Sequence, residues 1–139
     1  AGADGYPQVA KLFRAAAEAE TVHAHAHLRA MGGIMNTADN LQTAMEGEGC
    51  EYQEMYRGAL AVADAEVNRR AAFSFENALA VEEIHHGLYV QALEAVKAGG
   101  DLPEARIFVC EVCGNTVYGQ PPDKCPVCGV PHTRFFEVN

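Results

Sequence analysis

Two copies of the tetrad Glu-x-x-His interrupt apolar helix faces, and this pattern is the strongest constraint on the fold. The copies are Glu20-Thr21-Val22-His23 and Glu82-Glu83-Ile84-His85. Each lies among apolar residues spaced at 3.6 residues per turn, which predicts a helix face directed towards a core. Residues three apart lie about 60° apart around a helix axis, so the Glu and His of each pair share that face.

A further apolar helix face carries Glu48 and Glu51. Unpaired carboxylates in an apolar interior cost several kcal/mol each, and metal ions are the simplest source of compensating charge. Glu-x-x-His from two helices plus one Glu from each of two others is the ligand set of ferritin-like di-metal bundles. The sequence contains both pairs and the Glu48 helix but no fourth helix. We therefore expect a mainly α protein whose fourth bundle helix is missing or supplied elsewhere.

Helix start and stop signals divide the chain into a long helical region and a short β-like one. The linker is Gly99-Gly100-Asp101-Leu102-Pro103, where glycines and a proline end the helical pattern. We predict a ferritin-like domain over residues 1–100 and a small β-rich domain over 104–139. The predicted helices span about residues 7–31, 38–65 and 69–97.

Two Cys-x-x-Cys-Gly motifs mark the C-terminal region as a metal domain. Cys110 and Cys113 form the first, and Cys125 and Cys128 the second. Each tight turn directs two sulfurs to one point, and the following glycine allows the backbone to bend. The pattern predicts a tetrathiolate site, and spacing alone does not distinguish structural zinc from iron.

Composition limits the range of partners. The net charge of −9 and the pI near 5.0 argue against nucleic acid and anionic membranes as binding partners. The sequence shows no signal peptide and no transmembrane run, and it predicts a cytoplasmic protein.

The order of these motifs resembles that of the rubrerythrin family. Glu-x-x-His comes first, then Glu48-x-x-Glu51-Tyr52-x-Glu54-Met55-Tyr56, then Glu82-x-x-His85, and finally the two cysteine motifs. The resemblance implies a four-helix ferritin-like bundle with a di-iron site, joined to a rubredoxin-like domain with one iron on four thiolates. It also implies a first helix with one more Glu ligand, and Ala1 to Pro7 resembles the loop after it.

The resemblance also assigns roles to individual residues. Tyr56 matches a tyrosine that hydrogen-bonds a ligand carboxylate, although spacing alone places Tyr52 closer to the metals. The rubredoxin-like ligands match Cys110, Cys113, Cys125 and Cys128. The di-iron ligands match Glu20, His23, Glu48, Glu51, Glu82 and His85.

We expect a non-haem di-iron peroxidase that reduces hydrogen peroxide to water. Electrons would enter through the tetrathiolate iron from a reductase or a rubredoxin. Because three amphipathic helices leave a groove unfilled, we expect a homodimer or larger assembly, with exchange of helices between chains as one arrangement. One alternative is an iron-binding, ferroxidase or storage module with structural zinc on the cysteines. Zinc is an alternative at either site, and dioxygen is an alternative oxidant.

Overall fold

The computed structural model describes residues 1–138 and divides the chain into two compact units. The first unit, Ala1–Asn36, contains helix α1, Pro7–Ala30. Pro7 lies in the first turn of α1, where its missing N–H removes no helical hydrogen bond. None of the residues that the structure describes in α1 is buried. The apolar face predicted around Glu20 is therefore a helix face that the unit itself does not cover.

The second unit begins at Thr37 with a helix whose winding changes along its length. Helix α2, Thr37–Cys50, runs into a π-helical segment, Glu51–Met55, and the chain continues as helix α3, Tyr56–Ala65. The predicted bounds are confirmed, but uniform α-helical winding is not. A π turn carries about one more residue than an α turn, so it changes the face on which later side chains lie.

Helix α4, Arg69–Lys97, has the predicted bounds and packs against both α2 and α3. Asn68 caps its N-terminus, since the Asn68 side-chain oxygen accepts a 3.2 Å hydrogen bond from the Ala71 N–H. Gly49 is buried, and a Cβ atom at this position would lie 3.4 Å from Cδ2 of His86 on α4. This is an ordinary van der Waals distance, so Gly49 lies where α2 packs directly against α4. The buried apolar residues of these helices are Ala63, Ala72, Val81 and Leu93.

A small antiparallel sheet follows the helices. Its strands are β1, Ile107–Cys110, β2, Thr116–Tyr118, and β3, Phe135–Val138, in the order β2-β1-β3. Val109 of β1 pairs with Thr116 on one side and with Phe136 on the other. A short 3-10 helix, His132–Arg134, precedes β3. The predicted combination of a mainly helical region and a small β-rich region is confirmed.

The boundary between the predicted domains 1–100 and 104–139 stays a prediction, because the compact unit that begins at Thr37 contains both α4 and the sheet. Strand β2 contacts α4 within this unit. Over the residues described, no helix combines the length and apolar character that crossing a membrane requires.

The turn between α3 and α4 places a β-branched residue in the left-handed region. Val67 has a φ of 55°. The Val67 N–H donates to the Asp64 carbonyl at 3.0 Å and the Asn68 N–H donates to the Ala63 carbonyl at 2.8 Å. This is the Schellman pattern of helix termination, in which the left-handed position is usually glycine. Valine there is strained, because its Cβ crowds the backbone.

We predict that Val67→Gly raises the free energy of unfolding, although Val→Gly usually lowers it. The substitution relieves the strain of the left-handed conformation, but glycine loses more backbone entropy on folding. The net increase in the free energy of unfolding should be about 0.5–1 kcal/mol. Urea unfolding followed by helical circular dichroism measures this change. The matched control is Val62→Gly, because Val62 is also exposed but lies inside α3. That control should destabilise the protein, and a loss of stability in both variants would contradict the strain argument.

Candidate metal centres

The four cysteines of the two motifs converge on one point. The Sγ atoms of Cys110 and Cys128 are 3.7 Å apart, and those of Cys113 and Cys125 are 3.6 Å apart. All four sulfurs lie within 4.8 Å of one another. These separations exceed the disulfide bond length of about 2.0 Å. They match a tetrahedron around a metal with metal–sulfur bonds of about 2.3 Å, whose edges are about 3.8 Å. The donor set therefore fits one tetrahedral iron or zinc ion.

The two cysteine turns have the same backbone geometry. The Gly114 N–H donates to the Cys110 carbonyl at 2.9 Å, and the Gly129 N–H donates to the Cys125 carbonyl at 2.9 Å. Both glycines have positive φ, 85° and 76°. That conformation strains any residue with a Cβ, so the glycine after each motif is what closes the turn. The sequence prediction of two equivalent turns is confirmed.

The surroundings of the thiols differ. Burial raises the pKa of Cys113 well above the usual range of a thiol. Burial also acts to raise the pKa of Cys125, but hydrogen bonds from the backbone N–H groups of Cys128 and Val127 outweigh it and lower the pKa to about 7. The buried side chain of Asn115 also donates to Cys125 Sγ at 3.8 Å. Cys125 is thus the sulfur best prepared to bind a metal as a thiolate.

A second cluster joins α2 to α4 and consists of Glu48, Glu82 and His85, whose donor atoms lie within 4.8 Å of one another. His85 Nδ1 is 2.8 Å from Glu82 Oε2 and 3.8 Å from Glu48 Oε2. The three side chains are 16 to 25% exposed, so they are shielded from solvent without being sealed. Two donors bound at about 2.1 Å to one ion are roughly 3.0–3.4 Å apart, so these three residues fit a metal ion.

The ionised form of Glu48 is unfavourable in this cluster unless a positive charge lies nearby. Burial raises the pKa of Glu48 from 4.5 to about 7, assisted by the hydrogen bond and charge of Glu82 and by the charge of Glu51. Carboxylates this close do not all ionise without a cation between them. A bound metal would replace the proton and favour the ionised carboxylates. The chemistry of the donor set therefore supports a metal as strongly as the distances do.

Tyr56 and Tyr52 have different surroundings. Burial raises the pKa of Tyr56, and the charges of Glu82, Glu51 and Glu48 raise it further. The Tyr52 hydroxyl accepts a 2.9 Å hydrogen bond from Gln53 Nε2, and the Tyr52 ring meets His86 edge-on. The expectation from spacing that Tyr52 lies closer to the metals stays a prediction. It assumed α-helical winding, whereas residues Glu51–Met55 are π-helical.

The first Glu-x-x-His pair forms locally in α1. Glu20 Oε2 is 3.2 Å from His23 Nδ1, the same atom pairing that Glu82 and His85 show on α4. Both side chains are exposed. Glu20 and His23 belong to the first unit, so their place among the metal ligands stays a prediction, as does that of Glu51.

Sequence reasoning missed two groups near the second cluster. The Thr116 hydroxyl oxygen lies 3.0 Å from Nε2 of His85. No sequence signal connects these residues, which are 31 positions apart. Burial raises the pKa of Tyr89, with further contributions from Glu48, Tyr118 and Glu82. Tyr89 lies one helical turn after His85, so helix spacing could have placed it beside the site.

Family models match both regions of the chain. The model described as rubrerythrin matches residues 1–93, and the model of the rubredoxin-like domain of rubrerythrin matches residues 108–136. Rubrerythrin-2 of Clostridium acetobutylicum is 33% identical over 144 residues, which cover 94% of this chain and 78% of that protein. Nigerythrin of Nitratidesulfovibrio vulgaris is 28% identical over 145 residues, which cover 94% of this chain and 70% of that protein.

Solved structures of nigerythrin have the same fold. The fully reduced, all-ferrous state of nigerythrin superposes with a TM-score of 0.68 at 27% sequence identity. The match covers 75% of this chain and 50% of the nigerythrin chain. This chain therefore matches about half of the nigerythrin chain in that superposition.

We predict that the raised pKa of Glu48 makes the metal-depleted protein less stable as pH rises. The folded protein retains a proton up to about pH 7 that the unfolded chain releases near pH 4.5. The resulting stabilisation is full below pH 4.5 and is lost as pH rises through 7. Relative to Glu48→Gln, the parent should lose up to about 3 kcal/mol of unfolding free energy over this window. Urea unfolding at several pH values tests this.

The matched control for that experiment is Glu54→Gln, which changes an exposed carboxylate in the π-helical segment that follows α2. Its pH dependence should follow that of the parent. Equal pH dependence for the parent and Glu48→Gln would show that Glu48 ionises normally in the folded protein.

Proposed function

The chain belongs to the rubrerythrin family, and we propose that it is a non-haem di-iron peroxidase that reduces hydrogen peroxide to water. The resemblance found in the motifs is confirmed, and so is the ferritin-like fold with a rubredoxin-like domain. Both domains imply iron as the cofactor. Members of the family are oxidoreductases, and they are typically oligomers that receive electrons from redox partners.

The observation that carries the proposal is the presence of two donor clusters of opposite chemistry in one compact unit. Four soft sulfurs enclose one tetrahedral position and leave no coordination site for a substrate. An iron ion held there can transfer electrons one at a time but cannot bind peroxide. The cluster of Glu48, Glu82 and His85 offers hard oxygen and nitrogen donors instead and is only partly covered. A metal there can keep open positions for a small oxidant.

We assign the di-iron ligands to Glu48, Glu82 and His85, completed by Glu51, Glu20 and His23. When bound, a pair of iron ions supplies the two electrons that cleave the O–O bond. Reduction of hydrogen peroxide to two waters consumes two electrons and two protons. The remaining task of the protein is therefore to deliver protons to a buried, negatively charged site.

Tyr56 suits that proton delivery. Burial and three neighbouring carboxylates raise the pKa of Tyr56, so its hydroxyl keeps its proton and can donate a hydrogen bond at neutral pH. We propose that Tyr56 orients a ligand carboxylate through its O–H group and assists protonation of the departing oxygen.

A second candidate function is an iron-binding, ferroxidase or storage module with a structural zinc at the cysteines. The observation that favours it is the sulfur geometry, because separations of 3.6 and 3.7 Å suit zinc as well as iron. In that case the thiolate site would have no redox role, and dioxygen could be the oxidant at the carboxylate site.

We also propose a homodimer or larger assembly in which a second copy covers α1. Exposed apolar residues on this helix include Leu12, Phe13 and Val22, which are 63 to 68% exposed. Such a surface is unusual for a free helix and typical of an association face. A reductase or a separate rubredoxin would supply the electrons.

Substitution at each cluster separates electron entry from peroxide chemistry. We predict that Cys125→Ser stops steady-state peroxide reduction with a protein electron donor. After chemical pre-reduction, the same variant should still consume one peroxide for each iron pair, because the pair already holds both electrons. Stopped-flow absorbance with a peroxide assay measures both quantities.

The matched substitution in the other cluster should do the reverse. We predict that His85→Ala leaves the thiolate iron reducible by the donor but slows peroxide consumption by more than about tenfold. Loss of a group that hydrogen-bonds a metal ligand usually costs at least that much, and loss of the ligand itself should cost more. Full steady-state turnover by Cys125→Ser would contradict the proposal, because electrons would then enter elsewhere.

A further inference from the structure

We infer that Thr116 is a positioning residue that fixes the ring orientation and tautomer of His85. Thr116 begins β2 of the small sheet, whereas His85 lies in the middle of α4. The Thr116 Oγ1 atom is 3.0 Å from His85 Nε2, and both side chains are half-buried. The inference rests on the proposed function in one respect only, namely that His85 is a metal ligand.

The Thr116 hydroxyl is placed to accept a hydrogen bond from His85. The Thr116 hydroxyl donates its proton to the Gly114 carbonyl at 3.3 Å. A threonine hydroxyl has one proton, so when that proton goes to Gly114 the oxygen can accept a hydrogen bond from the imidazole. Without metal, His85 Nδ1 donates to Glu82 Oε2 at 2.8 Å. A metal bound at Nδ1 would take the place of that proton, and the neutral imidazole would then donate from Nε2–H to Thr116 Oγ1. Gly114 belongs to the first cysteine turn, so the backbone that folds around the thiolates also orients this hydroxyl.

This arrangement favours metal binding through Nδ1 of His85. A neutral imidazole with its proton on Nε2 carries its free electron pair on Nδ1. Nδ1 is the atom that lies 2.8 Å from Glu82 Oε2 and 3.8 Å from Glu48 Oε2. Thr116 thus turns the donor nitrogen towards the carboxylates. A hydrogen bond behind a ligating histidine also makes the ligand more basic and restricts its ring.

The surroundings of Thr116 make its hydroxyl hard to replace. A cavity of about 410 Å³ borders both Thr116 and His85, and its other walls are mainly apolar, with Leu41, Leu88, Ala92, Leu102 and Ile107 beside the two tyrosines Tyr89 and Tyr118. A valine at position 116 would keep the shape of threonine but leave the His85 Nε2–H facing this apolar wall without its acceptor. An unsatisfied donor in such surroundings is costly, so the ring would be free to change tautomer or rotate.

The experiment compares Thr116→Val with Thr116→Ser in the full-length chain, using zinc as a diamagnetic probe. Zinc is titrated against a competing chelator after one equivalent has filled the thiolate site. We expect Thr116→Val to weaken zinc binding at the Glu48, Glu82 and His85 cluster by about 10- to 100-fold, the usual effect of losing a group behind a ligand. Thr116→Ser keeps the hydroxyl and should retain the parent affinity. Thr133→Val, at an exposed position of the same small domain, is the matched control and should also bind like the parent.

Nitrogen-15 NMR of the zinc-loaded proteins gives a second readout that a merely structural contact would not affect. The signal of the His85 Nε2–H proton should be observed, with slow exchange, in the parent, in Thr116→Ser and in Thr133→Val. In Thr116→Val this proton should exchange too fast with water for its signal to be observed. Cobalt absorption at the thiolate site verifies that each variant keeps its small domain folded. If Thr116→Val fails this check, the NMR result on the parent decides alone.

Two results would overturn the inference: a zinc-loaded parent with no proton on Nε2, or a folded Thr116→Val protein with the zinc affinity of the parent. Lack of peroxide reduction by the parent would reject the proposed function but not this inference, because zinc binding and the imidazole tautomer do not depend on redox activity.

Discussion

The close placement of the Glu48 and Glu82 carboxylates beside His85 is the constraint on which the other features of the metal-binding unit depend. Their negative charge is favourable only when a cation balances it. Two carboxylates and an imidazole meet between packed helices, and the pKa of Glu48 rises to about 7 because burial and neighbouring charge disfavour its ionised form. Charge of this kind is tolerated in a folded interior when a cation balances it. The helices therefore contribute a site that is electrostatically incomplete without metal, and the stability of the unit is coupled to metal binding.

Local backbone features bring those side chains together. Helix α2 packs against α4 at Gly49 and His86, which places Glu48 beside Glu82 and His85. The π-helical segment Glu51–Met55 then redirects the following turn, and Tyr56 comes under the influence of the same carboxylates. π-helical turns are rare and recur at functional sites, which is consistent with a role for this one in shaping the centre.

Strand β2 brings the thiolate domain to His85 through one hydrogen bond. A closed tetrathiolate site and a partly covered carboxylate site are thus connected in one unit.

The sequence predicted what depends on periodicity and on ligand spacing. The bounds of the helices, the four converging cysteines and the pairing of Glu82 with His85 all follow from positions three, four or seven residues apart. It did not predict the π-helical winding, because residues 51–55 have the composition of an ordinary helix. The placement of Tyr52 from α-helical spacing therefore stays a prediction. Thr116 was also missed, since its role comes from packing of the sheet against α4 and no local pattern encodes that contact. The strain at Val67 was likewise invisible, as the Schellman turn usually contains glycine.

Mössbauer spectroscopy of the iron-57-loaded protein, recorded before and after one equivalent of hydrogen peroxide, tests the central claim most directly. The iron-loaded protein should contain three irons per chain in two chemical classes. One iron should have four sulfur ligands, and the other two should have oxygen and nitrogen ligands. Starting from the fully reduced protein, peroxide should convert both irons of the second class to the ferric state. The sulfur-bound iron should be oxidised only when more peroxide is added, because one equivalent accepts two electrons. A thiolate site that holds no iron, or ferrous oxygen- and nitrogen-bound irons that peroxide leaves unchanged, would contradict the account.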